Sequence, residues 1–179
     1  MSYGHQELLS HRPEIGYFRN PDPGHGWSST FSHLERRGII PFRWTVEVMQ
    51  FRLHPHHPLT YVDQRTGWEY QPDRKAYRFD GGSIPPPVRW MPSYHPLRYP
   101  RAYGFHDSGY SETDNVPGRE GEKLHGLWVR KPGETVFAFV ELPRAQVDHL
   151  LNDMARVEGA DDMQGRILER TCQWFGPRW

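Results

Sequence analysis

Between residues 42 and 53 the chain reads "FRWTVEVMQFRL", with Phe42, Trp44, Val46 and Val48 on alternate positions. A period of two places such residues on one face of a strand. "LTYVDQRTGWEYQP" (59–72) predicts a strand, a turn at Thr66–Gly67 and a second strand, and "KAYRFDGGSIPPPVRW" (75–90) predicts a short strand entering a Gly- and Pro-rich loop. The first half of the chain is therefore expected to form a small antiparallel sheet.

The period changes in the second half. "HPLRYPRAYGFHDSGYSE" (95–112) suits a helix with Pro100 in its first turn, where a missing N–H costs little. Gly104 and Gly109 weaken it by about 1 kcal/mol each relative to Ala. "LHGLWVRKPGETVFAFVEL" (124–142) predicts a hairpin around Lys131–Glu134. In 143–159, Val147, Leu150, Leu151 and Met154 form a helical stripe, Pro143 suits the first helical position and Gly159 can close the helix. A last helix is expected over 162–175, with Ile167, Leu168, Cys172 and Phe175 on one face. Sheet, helix, hairpin and two helices, in that order, predict an α+β fold. Residues 1–40 show no sustained period and are rich in Pro, Gly and Asn. They are expected to form an extended N-terminal arm that packs through Tyr17, Phe18 and Trp27, ahead of a single domain over 41–179.

Composition adds to this picture. The chain has 179 residues, which fits one domain with a substantial core. Lys+Arg and Asp+Glu are both 22, so the basic excess that phosphate contacts require is lacking and no nucleic-acid partner is expected. Mean hydropathy is −0.84, yet 7 Trp, 9 Tyr and 9 Phe argue for a folded chain with an aromatic core. With one cysteine no intramolecular disulfide can form. No secretory signal and no transmembrane segment are visible.

The chemistry concentrates in "GFHDSGY" (104–110). On a helix, His106 and Tyr110 lie one turn apart on the same face, whereas Asp107 points about 100° away. His106 and Asp107 are thus expected to serve different sites rather than each other. A general base needs its second ring nitrogen held, and Asp148 is the best candidate for that role. It lies on the edge of the apolar stripe of 143–159, beside Leu151 and Ala155, where a carboxylate would need a partner. A His106–Asp148 dyad with Tyr110 donating to the same carboxylate is the result. "LHPHHPL" puts His54 and His56 on one strand face, but two ligands without a third do not make a zinc site. A solvated loop is expected there. His125 and His149 read as surface residues, and Cys172 as core. Trp174, Phe175 and Trp179 either cover core or dock onto a neighbour.

Three ordered motifs, "FDGGSIP" (79–85), "HDSGY" (106–110) and "RAQVD" (144–148), resemble a family of phage and prophage proteins known as a numbered domain of unknown function. Its pattern is T-D-G-A-S-[IV]-P, then H-D-x-L-Y on a helix, then R-x-x-A-D in a following helix. The resemblance covers roughly 42–176. It departs at Gly109, where the family has Leu, in a longer insert at 111–141, and in the uncovered 1–40.

H-D-x-x-Y with an Asp on the antiparallel next helix is similar, more distantly, to the phospholipase A₂ superfamily, including its disulfide-free parvoviral capsid members. That likeness implies His106 as general base, with Asp148 and Tyr110 holding its tautomer. It implies Asp107 as a calcium ligand together with backbone carbonyls of a glycine-rich loop, for which Gly81 and Gly82 are the candidates. Asp80 and Ser83 of that loop either cap turns or hydrogen-bond His106. Taken together, the resemblances imply a phage-encoded hydrolase made in the host cytoplasm and acting on a lipid or another ester of the host envelope. The alternative is a non-catalytic virion or tail protein that assembles with other virion proteins through its arm.

Overall fold

The structure, a computed structural model, describes residues 12–19, 27–39, 42–53, 58–73, 77–79, 98–114 and 116–175. Within these, β1 (Gly16–Arg19), β2 (Trp27–Ile39), β3 (Phe42–Leu53), β4 (Thr60–Asp63), β5 (Glu69–Gln71) and β6 (Tyr77–Phe79) come first. Then follow α1 (Pro100–Tyr110), β7 (Gly126–Arg130), β8 (Ala138–Glu141), α2 (Arg144–Val157) and α3 (Asp162–Phe175). The fold is α+β.

The strands form two antiparallel sheets, a five-stranded one in the order β1-β4-β5-β7-β8 and a three-stranded one in the order β2-β3-β6. The hairpin of the second half joins the first-half strands: β7 pairs with β5, and Tyr70 lies opposite Val129. The stretch read as an arm also contributes. Phe18 is buried in β1 opposite Tyr61, with the rings 5.5 Å apart, and Ile15 joins the same core. Trp27 lies in β2, whose side chains are outside the description, as are the loop at 80–83 and the histidines at 54–57. The alternation seen in 42–53 is the whole of β3, and Gly67 makes the β4–β5 turn with φ 71°.

The helices cover the five-stranded sheet through a core that includes Tyr61, Tyr103, Phe105, Leu127, Leu151 and Met154. Aromatics and aliphatics share this core. Trp128 is buried outside this cluster, edge-on to Phe139, while Trp174 is 72% exposed. Pro143 precedes α2 as its cap residue, one place earlier than expected, and Gly159 takes φ 104° at the reversal into α3.

What positions α1 is its registration along α2. Tyr99 provides no side-chain cap for α1. Glu158, just past the end of α2, supplies one instead: its carboxylate accepts from Ala102 N at 2.8 Å and from the Arg101 guanidinium Nε at 2.7 Å. Orphan amides at a helix start are thus satisfied across the helix pair. Near the other end of α1, Gly109 lets the backbones close up. A Cβ on Gly109 would lie 2.7 Å from Val147 Cγ1. A residue with a side chain would hold the helices apart, so this glycine fits a closer helix pairing than leucine allows. Ser108 ties α1 to the sheet side, its Oγ accepting from Asp73 N at 2.6 Å.

Candidate active site

Fixed at both ends, α1 and α2 bring His106, Tyr110 and Asp148 together. His106 Nε2 lies 2.9 Å from Asp148 Oδ1, and the Tyr110 hydroxyl donates to the same oxygen. A carboxylate can only accept, so Nε2 carries a proton, and in the neutral imidazole the lone pair is on Nδ1. The Tyr110 ring also leans on the imidazole, with centroids 4.1 Å apart and planes tilted by 34°. All of Asp148 is buried, and His106 nearly so.

Arg144 binds this group together, a part that spacing analysis did not assign to it. It stands one turn before Asp148 on α2, within the same "RAQVD" motif that flagged the aspartate. Its Nε donates to the Tyr110 hydroxyl at 3.0 Å and lies 3.8 Å from Asp148 Oδ2. Its Nη2 donates to the carbonyl of Cys172, which clamps α3 onto the pair. Among the described residues, Oδ2 of Asp148 has no hydrogen-bond partner.

Cys172 is the second residue whose place the sequence did not reveal. It packs against the core as expected, but a ligand-capable atom of each of His106, Asp148 and Cys172 lies within 4.8 Å of the others. An apolar helical face gave no hint of this, because only the packing of α3 against the helix pair brings Cys172 to the dyad.

Asp107 stands closer to the imidazole than its helical direction predicts. Its Oδ1 is 3.8 Å from His106 Nδ1. This corrects the expectation that the two neighbours ignore each other: the gap is too long for a hydrogen bond but short for a charge interaction. Burial pulls the His106 pKa down, yet the Cys172 sulfur and the carboxylates of Asp107 and Asp148 outweigh it, leaving the pKa well above the ordinary 6.5. Burial, aided by its bond to Asp148, raises the Tyr110 phenol, which stays a protonated donor.

The remaining candidates separate clearly. His149 is exposed, between Asp153 at 3.6 Å and Glu169 at 3.4 Å. His125 is not a surface residue; it is half-buried, with Nδ1 3.1 Å from the Tyr110 carbonyl, and it buttresses the end of α1. Asp80, Gly81, Gly82 and Ser83 lie outside the described residues, as do His54, His56 and His57. Asp107 is therefore the one described residue of the expected calcium set. The nearby cluster of nitrogen, sulfur and oxygen donors is unlike the all-oxygen shell that calcium takes. No described helix is long and apolar enough to cross a membrane. Compared with known proteins, the chain matches no family model, no curated protein and no solved structure.

Proposed function

We propose that the protein is a phage-encoded hydrolase of a lipid or other envelope ester, with His106 as general base. The observation that carries the reading is the 2.9 Å contact of His106 Nε2 with the buried Asp148, which directs the Nδ1 lone pair away from α2. A water at Nδ1 gives up its proton as its oxygen attacks the ester carbonyl. The tetrahedral intermediate then collapses, and Nδ1 returns the proton to the leaving alkoxide. Asp148 and Tyr110 hold the tautomer and compensate the imidazolium, and Asp107 lends a second negative group on the Nδ1 side. A calcium ion held with Asp107 would polarise the ester carbonyl, and the proton route through His106 is the same with or without it.

A second reading, a virion or tail component that uses no chemistry, is favoured by Val136, Met163 and Trp174, which stand 71%, 70% and 72% exposed. They lie in the β7–β8 turn and at the two ends of α3, and each leaves apolar area that contact with another protein would bury. One experiment separates the two. Fatty-acid release from mixed phospholipids is measured with and without Ca²⁺ for the wild type and His106→Asn. Release by the wild type alone supports the hydrolase, whereas equal background from both, with co-purification on intact particles, supports the virion component.

A further inference from the structure

We propose that His106, Asp148 and Cys172 form a site for a single borderline-soft divalent cation, Zn²⁺ by preference, and that its binding takes the dyad out of service. The binding rests on geometry alone; the loss of activity rests on the hydrolase reading above.

The three side chains come from three different helices and offer a nitrogen, an oxygen and a sulfur within 4.8 Å of one another. That donor set is one zinc accepts, with three protein ligands and a fourth position left for water. Tetrahedral ligands at zinc distances stand about 3.3–3.8 Å apart, so small side-chain shifts close the set. An independent observation points to the same place. Asp148 is wholly buried, yet among the described residues its Oδ2 has no hydrogen bond, and Arg144 Nε reaches it only at 3.8 Å. A buried carboxylate oxygen with a distant ion pair and no hydrogen bond has a lone pair that a directly bound cation would use.

Charge and protons balance. Cys172 loses its thiol proton to solvent on binding, and the thiolate and the Asp148 carboxylate then neutralise the ion. When Nε2 of His106 becomes the ligand, its proton moves to Nδ1, where Asp107 Oδ1 stands 3.8 Å away. A ligating histidine whose other nitrogen faces a carboxylate is held in the tautomer that coordination needs. The Arg144 bond to the Cys172 carbonyl keeps the sulfur in place, while Tyr110 keeps its hold on Asp148 Oδ1. With Nε2 on the metal and Nδ1 protonated, no lone pair is left to accept a proton from water, so hydrolysis stops.

The test begins with chelator-treated full-length protein dialysed against Zn²⁺, and against Co²⁺ for its spectrum. One ion per chain and a thiolate-to-cobalt charge-transfer band are expected. Cys172→Ser should weaken binding by about tenfold or more and remove the band, while replacing His54, His56 and His57 together by Ala should leave both unchanged. Because Cys172 is the one cysteine of the chain, a variant-free check exists: Zn²⁺ should slow alkylation of the wild-type thiol. The proposal is overturned by no binding, by wild-type affinity in a folded Cys172→Ser, by loss of binding in the triple-histidine variant, or by equal alkylation rates with and without Zn²⁺. Metal binding without hydrolysis by the chelated protein would remove the hydrolase reading and leave the site standing. Hydrolysis without metal binding would do the reverse.

Discussion

Two buried carboxylates lie on α2, and their surroundings treat them differently. Asp153 faces the sheet. The Arg65 guanidinium of the β4–β5 turn bonds it directly, and Arg156 approaches at 3.9 Å. Arg65 is itself fixed by Asp63 Oδ1, which accepts from its backbone N at 3.0 Å and its Nε at 3.1 Å. Asp148, just over one turn earlier, faces α1. Its closest partners are an imidazole and a phenol, and one of its oxygens has no hydrogen bond. The closest partner of Asp153 is a guanidinium that stays charged at any working pH, with His149 farther off at 3.6 Å. The closest partners of Asp148 can give up or take on a proton, and its guanidinium, Arg144, stands back at 3.8 Å. The first is a staple between sheet and helix, and the second, equally buried, is the carboxylate of the proposed dyad.

This contrast can be broken most sharply at the base itself. His106→Asn should lower ester hydrolysis by about 10²–10⁴-fold while the circular dichroism spectrum stays that of the wild type. Arg65→Ala should do the opposite. It leaves Asp153 short of its closest cation, and with Arg65 part-exposed the stability loss should be about 2–3 kcal/mol by urea denaturation. Its catalytic rate at saturating substrate should hold.

Helix spacing comes next in size. Gly109→Ala drives a methyl into Val147 and should cost about 1–3 kcal/mol, with a fall in activity as Asp148 is pushed from His106. Val147→Ala in the same chain should restore part of both, a coupling that a double-mutant cycle reads directly. No rescue would mean that the close approach of α1 and α2 does not set the dyad.

A pH series sharpens the contrast further. His106 has a folded pKa raised above 6.5. Its contribution to stability is therefore fully present below 6.5 and is lost as pH rises through the folded value. Activity runs the other way, since only the neutral imidazole accepts a proton, and should rise with an inflection above 6.5. Asp107→Asn should move that inflection down. Arg65–Asp153 should show no such dependence once His149, 3.6 Å from Asp153, is replaced by Gln, measured as the difference in stability between His149→Gln with and without Arg65→Ala. The smallest effect is expected at Tyr110→Phe, which removes one donor to Asp148 at a cost of about 1 kcal/mol. A larger drop in rate than in stability would place the phenol in the proton route and not only in the packing.

Much of this was legible along the chain because it depends on local periodicity. The 3.6-residue stripe of Val147, Leu150, Leu151 and Met154 marks α2, the alternation in 42–53 marks β3, and turn residues mark the β7–β8 hairpin. The His106–Asp148 contact was legible for a related reason: a carboxylate at the edge of an apolar stripe needs a partner, and few residues could provide one. What stayed hidden depends on how distant elements meet. "GYFR" is too short to show a period, so β1 becomes a core strand only because β4 offers it a free edge. Glu158 reads as one more acid at a helix end until it is seen capping α1. Cys172 reads as an apolar filler until α3 folds back across the dyad.

The chain by itself determines which segments are helix and strand and which side chains can do proton chemistry, since both follow from residue type and short-range spacing. Tertiary structure decides which of those side chains work together. The Gly109–Val147 approach, the Glu158 cap and the Arg144 clamp set distances of a few ångströms between residues 28 to 56 apart in sequence. Charge interactions and metal coordination fall off over that same few ångströms, so the chemistry of "GFHDSGY" was settled by packing.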